Sequence, residues 1–95
     1  MDPIEGNIEM PKLIATHEVD DVAHWLASPK REEVMGAFAT DIRTYVDPSR
    51  PNFVGLSADI SDMDAFQALM ESEAGAEAMK HDGVRPETMA ILIES

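Results

Sequence analysis

The chain states one pattern of apolar and polar positions twice. Glu18-Val19-Asp20-Asp21-Val22-Ala23-His24-Trp25 and Asp59-Ile60-Ser61-Asp62-Met63-Asp64-Ala65-Phe66 share it. An acid and a β-branched residue come first, and β-branched residues suit a strand. Two short polar residues follow, of the kind that cap helices. An apolar residue then opens a helix, and an aromatic three positions on shares its face. Farther along, Ser28…Glu33-Val34-Met35 is echoed by Ser72…Glu77-Ala78-Met79. Such self-similarity predicts two related strand–helix–strand halves.

Leu13 to Val19 reads as the first strand, being rich in β-branched and apolar residues. Asp20 or Asp21 can cap a helix starting at Val22, with Val22, Trp25 and Leu26 on one face. Ser28-Pro29 interrupts it and starts a second segment running towards Phe38, with Gly36 as its weak point. Asp41–Asp47 and Phe53–Ile60 alternate cleanly, and the turn-rich stretch Asp47–Asn52 makes them a hairpin with a longer loop. Ser61 with Asp64 suggests a capping box for a helix carrying Met63, Phe66, Leu69 and Met70 on one side. Ser72 re-caps that helix and Gly83 ends it. Pro86 then enforces the exit into a last strand over Glu87–Glu94. The uninterrupted apolar run inside that strand, Met89 to Ile93, predicts cover on both faces.

The order is strand, helix, strand, strand, helix, strand. This is the α+β, ferredoxin-like βαββαβ arrangement, a four-stranded antiparallel sheet with helices on one face. Residues 1–11 hold two Pro and one Gly and read as an N-terminal arm; residues 12–95 read as one domain.

Period-2 alternation sorts the strand residues between faces. Leu13, Ala15, His17 and Val19 fall on the helix side, with Ile42, Thr44, Val46, Val54, Leu56, Ala58 and Ile60. Ile14, Thr16 and Glu18 fall on the other, with Arg43, Tyr45, Asp47, Phe53, Gly55, Ser57 and Asp59. Apolar Ile14, Tyr45 and Phe53 then lack a helix to cover them. A second copy stacked face to face would supply the cover, burying on the order of 1,200–2,000 Å². Arg43, Tyr45, Ser57 and Asp59 would form a polar network on that dimer face, or fringe it and meet water.

Charge narrows the partners. Nineteen acids against seven bases give a net charge of −12. Nucleic-acid backbones and anionic membranes demand clustered Lys and Arg, so neither is expected as a partner. With no Cys in the chain, disulfides, thiol catalysis and thiolate metal sites are excluded. No apolar run approaches membrane-spanning length, and the first residues lack a signal peptide's basic and apolar regions. A soluble, cytoplasmic protein is expected. His17, His24 and His81 have no i, i+4 spacing, so no metal site is expected. There is no phosphate-binding glycine loop and no nucleophile elbow.

The chain resembles the dimeric α/β-barrel superfamily, which includes the antibiotic-biosynthesis-monooxygenase-like domains. The resemblance rests on His17-Glu18-Val19-Asp20-Asp21 leading to Trp25, on Pro51-Asn52-Phe53-Val54, on Asp62 leading to Phe66, and on Met79-Lys80-His81-Asp82-Gly83-Val84. It covers roughly Lys12 to Glu94 and implies the fold and a homodimer. Its members' chemistry is diverse. Haem-degrading relatives use a Trp where this chain has Leu69, and a His about two positions before His81. Polyketide-oxidising relatives use an Asn and Trp pair, whereas Asn7 and Asn52 lie in the arm and the hairpin loop. Neither chemistry carries over, and no bound cofactor is expected.

The resemblance also implies a ligand cavity between sheet and helices, which makes His17 the candidate catalytic residue. Histidine there could move a proton near neutral pH; the alternative is a buried, internally bonded ring. Trp25 and Phe66, matched in the repeat, are core aromatics that could also wall a flat ligand, with Leu69 beside them. His81 suits a helix C-terminus through the dipole alone, or could reach the cavity mouth. The methionines are adaptable core filler that would suit varied apolar ligands. The expected function is a small enzyme, monooxygenase-like or isomerase-like, acting without cofactor on an aromatic or apolar metabolite. The alternative is a non-catalytic ligand-binding or stress-related dimer.

Overall fold

The computed structural model describes residues 10–95. Of the expected arm, residues 1–9 lie outside them; Pro11 is tied in, its carbonyl accepting from the Ile60 amide at 3.0 Å. The elements run β1 (Lys12–Val19), α1 (Val22–Ala27), α2 (Lys30–Met35), β2 (Ala39–Asp47), β3 (Arg50–Ile60), α3 (Met63–Met70), α4 (Glu73–His81) and β4 (Val84–Ile93). The sheet is antiparallel, with order β2-β3-β1-β4. This is the ferredoxin-type α+β fold, each helical unit broken into two segments at the serines that the sequence marks.

Local chemistry sets the breaks. Asp21 and Asp62 cap α1 and α3, accepting from the His24 and Ala65 amides at 3.2 and 3.0 Å. Asp62, not Ser61, is therefore the cap of α3, because the Ser61 hydroxyl is taken by the Phe38 carbonyl. Ser72 re-caps at α4, accepting from the Gly75 amide at 3.0 Å. Gly75 lets α4 press onto the end of α3: a Cβ there would lie 2.1 Å from the Leu69 carbonyl oxygen. Gly83 takes φ +70° just past α4, the left-handed turn that glycine adopts freely. Its carbonyl accepts from the Asp20 amide at 3.0 Å and fastens the two halves together.

Two elements differ from the sequence reading. The β2–β3 turn is tight, because Arg50 already pairs with Asp47 across it and Ser49 folds back on the Asp47 carboxylate. β4 starts at Val84 and contains Pro86, which an edge strand tolerates because its outward N–H sites need no partner. Within the subunit alone, the expected cover on both faces of β4 is incomplete. Ile91, Leu92 and Ile93 are all exposed in the subunit, Leu92 by 64%.

The face assignments agree with the pairing register. Leu13, Val19, Val54, Ala58 and Ile60 are fully enclosed beneath the helices, packed with Trp25, Met35, Phe38 and Phe66. Ile14 pairs with Leu92 on the opposite face, and both are exposed. Phe53, also on that face, is half-buried under the Arg50 guanidinium, 3.8 Å from its ring centroid.

Candidate functional site

Between the sheet and the helices lies a cavity of about 100 Å³. β1 brings His17 to it by parity, between Ala15 and Val19 on the covered face. The ring is only 4% exposed. Beside it the β1–β4 ladder opens. Glu18 pairs with Arg85 and Thr16 with Ala90, so residues 86–89 bulge opposite His17. Pro86 has no amide to offer a ladder there. Thr88 repairs the gap, accepting from the Glu18 amide at 2.8 Å and donating to the Arg85 carbonyl at 2.6 Å. Met89, at the end of the bulge, lines the cavity.

The helices add Trp25, Met35, Phe66, Leu69, Met70 and Met79 to the wall, and the strands add Leu13, Ala15, Leu56 and Ile91. His17 meets Trp25 edge to face, with ring centroids 5.6 Å apart and planes at 81°. Arg31, from α2, lies over the Trp25 ring at 4.7 Å, a cation–π contact. Its Nη2 donates to the Trp25 and Leu26 carbonyls at the end of α1, at 2.8 and 3.2 Å. Its Nη1 is buried without a hydrogen-bond partner, 4.0 Å from the Asp82 carboxylate. Nδ1 of His17 is the other buried side-chain nitrogen without a partner among the described residues. Asp82 itself is held by the Ser28 hydroxyl and by Nδ1 of His81 at 2.8 Å.

Electrostatics follow from enclosure. Burial is the main cause that pushes the His17 pKa below its usual 6.5; the Arg31 charge adds to this, while the Glu18 backbone and Asp82 oppose it. His17 is therefore a neutral imidazole near neutral pH. Burial likewise lowers the Arg31 pKa, against Asp82 and Glu32, yet guanidinium keeps its proton in proteins. The cavity thus has an apolar body and one polar end, made of a neutral imidazole, a cation and a carboxylate.

Of the residues the sequence singled out, His17, Trp25, Phe66 and Leu69 line this cavity. His81 does not: it is exposed at the end of α4, spent on Asp82 and on His24, whose Nε2 donates to the His81 carbonyl at 2.7 Å. Ligand atoms of His24, His81 and Asp82 lie within 4.8 Å of one another, a grouping that helical spacing could not reveal because it joins α1 to the end of α4. The outer-face residues divide into local pairs. Tyr45 bonds Ser57 at 2.8 Å, Arg43 takes Asp41 at 3.0 Å, and Asp59 takes Lys12 at 2.9 Å. Arg43 and Asp59 therefore form no pair with each other. Arg85 sits on β4 and bonds Asp20 and Glu18 at 2.9 and 3.0 Å.

Sequence reasoning missed Arg31 and Asp82. A signal for Arg31 existed: Arg31, Val34 and Met35 share i, i+3, i+4 spacing, which puts a cation on an apolar helical face. For Asp82 there was none beyond its place before Gly83.

Solved structures match this architecture. A candidate antibiotic biosynthesis monooxygenase from Bordetella bronchiseptica superposes with a TM-score of 0.69 at 19% identity, over 92% of this chain and 96% of that one. An antibiotic biosynthesis monooxygenase gives 0.59 at 15% identity, over 90% and 97%. A protein of unknown function from Nitrosomonas europaea gives 0.60 at 17% identity, over 93% and 89%. No protein-family model matches the sequence, and no curated protein matches it. At these identities the likeness establishes the fold alone, the ferredoxin-type α+β architecture that the chain shares with these structures. No helix among the described residues is long and apolar enough to cross a membrane.

Proposed function

We propose that the chain is a small homodimeric enzyme that acts without a bound cofactor on an aromatic or otherwise apolar metabolite, with His17 as its general base. The observation that carries this reading is a buried imidazole, kept neutral by its surroundings, on the wall of an apolar cavity. A neutral imidazole can take a proton from a substrate hydroxyl or activated C–H, whereas a protonated one cannot. Monooxygenase-like and isomerase-like chemistry both start with this step, so it precedes the choice between them. Trp25, Phe66, Leu69 and the methionines would orient the substrate.

The dimer belongs to the same reading. Ile14, Tyr45 and Leu92 form an exposed apolar patch on the face without helices, and covering it with a second copy removes it from water. The complete absence of cysteine suits a cytoplasmic setting.

One observation favours the non-catalytic alternative, a ligand-binding dimer. A cavity near 150 Å³ holds benzene, and this one is about 100 Å³. Methionine side chains must move for any ring to enter. A thermal-shift screen with aromatic metabolites, quinols and haem, followed by turnover assays, tests both readings, because a native-state ligand raises Tm. The enzyme reading expects turnover that falls about 10²–10⁴-fold in His17→Ala, with a folded dimer retained. A bound ligand that is never converted, or conversion unaffected by His17→Ala, overturns it.

A further inference from the structure

Away from the cavity, the two halves of the fold bring metal-ligating side chains together. His24 stands on α1, in the first half; His81 ends α4 and Asp82 follows it, in the second. One ligand atom from each lies within 4.8 Å of the others. A tetrahedral zinc ion with bonds of about 2.1 Å holds its ligand atoms about 3.4 Å apart, so the set must close by roughly 1 Å. The rings can supply that movement, because both histidines are exposed, while the buried Asp82 is held by Ser28. Two imidazoles on one such ion have ring centroids about 5 Å apart; those of His24 and His81 are 5.3 Å apart. Nitrogen and oxygen atoms already converge there. Nε2 of His24 meets the His81 carbonyl at 2.7 Å, and Nδ1 of His81 meets the Asp82 carboxylate at 2.8 Å. A cation would replace the hydrogens of these two bonds. Each ring hydrogen moves to the ring's other nitrogen, so neither neutral imidazole loses a proton overall.

We propose that His24, His81 and Asp82 bind one divalent cation of the zinc class and that the ion clasps the first half of the fold to the second. Two imidazole nitrogens and one carboxylate oxygen suit zinc and its neighbours in the transition series. Magnesium and calcium prefer oxygen ligands throughout. The Arg31 guanidinium, 4.0 Å from the Asp82 carboxylate, opposes a further positive charge. That repulsion weighs most on cations held by charge alone, and bonds to imidazole nitrogen offset it for zinc. Three protein ligands leave the fourth position to water. The clasp would add to the bond from the Asp20 amide to the Gly83 carbonyl, 3.0 Å long, which joins the same two halves. Neither histidine of the site lines the cavity, so the proposal stands whether or not His17 is a base. Asp82 alone belongs to both places.

The full chain, stripped of metal with EDTA, is titrated with Zn²⁺ and separately with Mg²⁺, following Tm and the histidine ring signals by NMR. One equivalent of Zn²⁺ should raise Tm, since an ion that binds the native state stabilises it. It should also move the ring signals of His24 and His81 and leave that of His17 in place, and EDTA should reverse both changes. Mg²⁺ should cause neither. His24→Ala and His81→Ala alter exposed side chains, and each should weaken Zn²⁺ binding at least tenfold, as should Asp82→Asn. The wild-type ring signals decide the matter even if Asp82→Asn fails to fold. Zn²⁺ that leaves both rings unmoved, or that binds His24→Ala as tightly as the wild type, overturns the site. An equal response to Mg²⁺ also overturns it, because that would mark general attraction to an acidic surface. Unchanged affinity in a folded Asp82→Asn overturns the carboxylate as third ligand.

Discussion

The two halves of the molecule use the same scaffold for different ends. Val19 corresponds to Ile60, so His17 corresponds to Ala58; Ser28 corresponds to Ser72, so Arg31 corresponds to Gly75. The structural positions agree closely. Asp21 and Asp62 cap in the same way, and Trp25 and Phe66 are both buried. The chemical positions do not. The first half turns an imidazole and a guanidinium to the cavity; the second has a fully buried Ala and a Gly whose Cβ would strike the Leu69 carbonyl. The difference teaches that the repeat specifies packing, while the polar end of the cavity comes from two departures from it. Asp82, from the end of α4, is the second half's only charged contribution to the lining.

The comparison can be broken at several places. The largest effect is expected at the matched aromatics. Trp25→Ala and Phe66→Ala should each cost about 3–5 kcal/mol, as large-to-small core changes do. Urea denaturation reading one far below the other would show that the halves are not structurally equivalent. Gly75→Ala should come next, at about 1–3 kcal/mol, since the helices must shift to admit the Cβ.

The matched serines sharpen the point. Ser72→Ala loses an N-cap, worth about 1 kcal/mol. Ser28→Ala loses the acceptor for the Lys30 amide and also a donor to the buried Asp82 carboxylate. It should exceed the Ser72 change by about 1 kcal/mol or more, because a buried group left without its partner carries a desolvation penalty. Equal costs would mean that Asp82 gains nothing from Ser28.

The smallest effect is in pH dependence. The folded state depresses the His17 pKa below 6.5, so beneath that value the unfolded chain binds the proton more readily. Stability should then fall as pH drops from 6.5 towards the folded-state value, and rise back with increasing pH. His17→Gln should flatten this slope. Asp47 titrates in a separate window. Its folded pKa is lowered from 3.8 to about 2 by bonds from Ser49 and Arg50, so its contribution is lost only as pH falls through that lower range.

Most of the fold was legible in the chain because period-2 alternation, cap residues and the internal repeat agree. His17 on the covered face and Ser72 at the second break follow from those signals alone. The exit into β4 was misread because Pro86 argues locally against a strand, and only the sheet order shows that its strand lies at an edge. The apolar run Met89–Ile93 indicated cover, but covering atoms within the subunit are absent on much of β4, and a partner lies outside what one chain can bury. Half of the site was visible. His17 could be placed by parity and Trp25 by the repeat, whereas Arg31 and Asp82 converge from α2 and the end of α4. That contact spans 51 positions in sequence, and no local pattern encodes it.

A protein uniformly labelled in its histidines, titrated by NMR, tests the site most directly by following the His17 ring. If enclosure does what the surroundings imply, that ring stays neutral through pH 6.5 and protonates only at more acid pH. A ring that protonates at or above 6.5 would mean a solvated or ion-paired side chain, and the buried base would not exist.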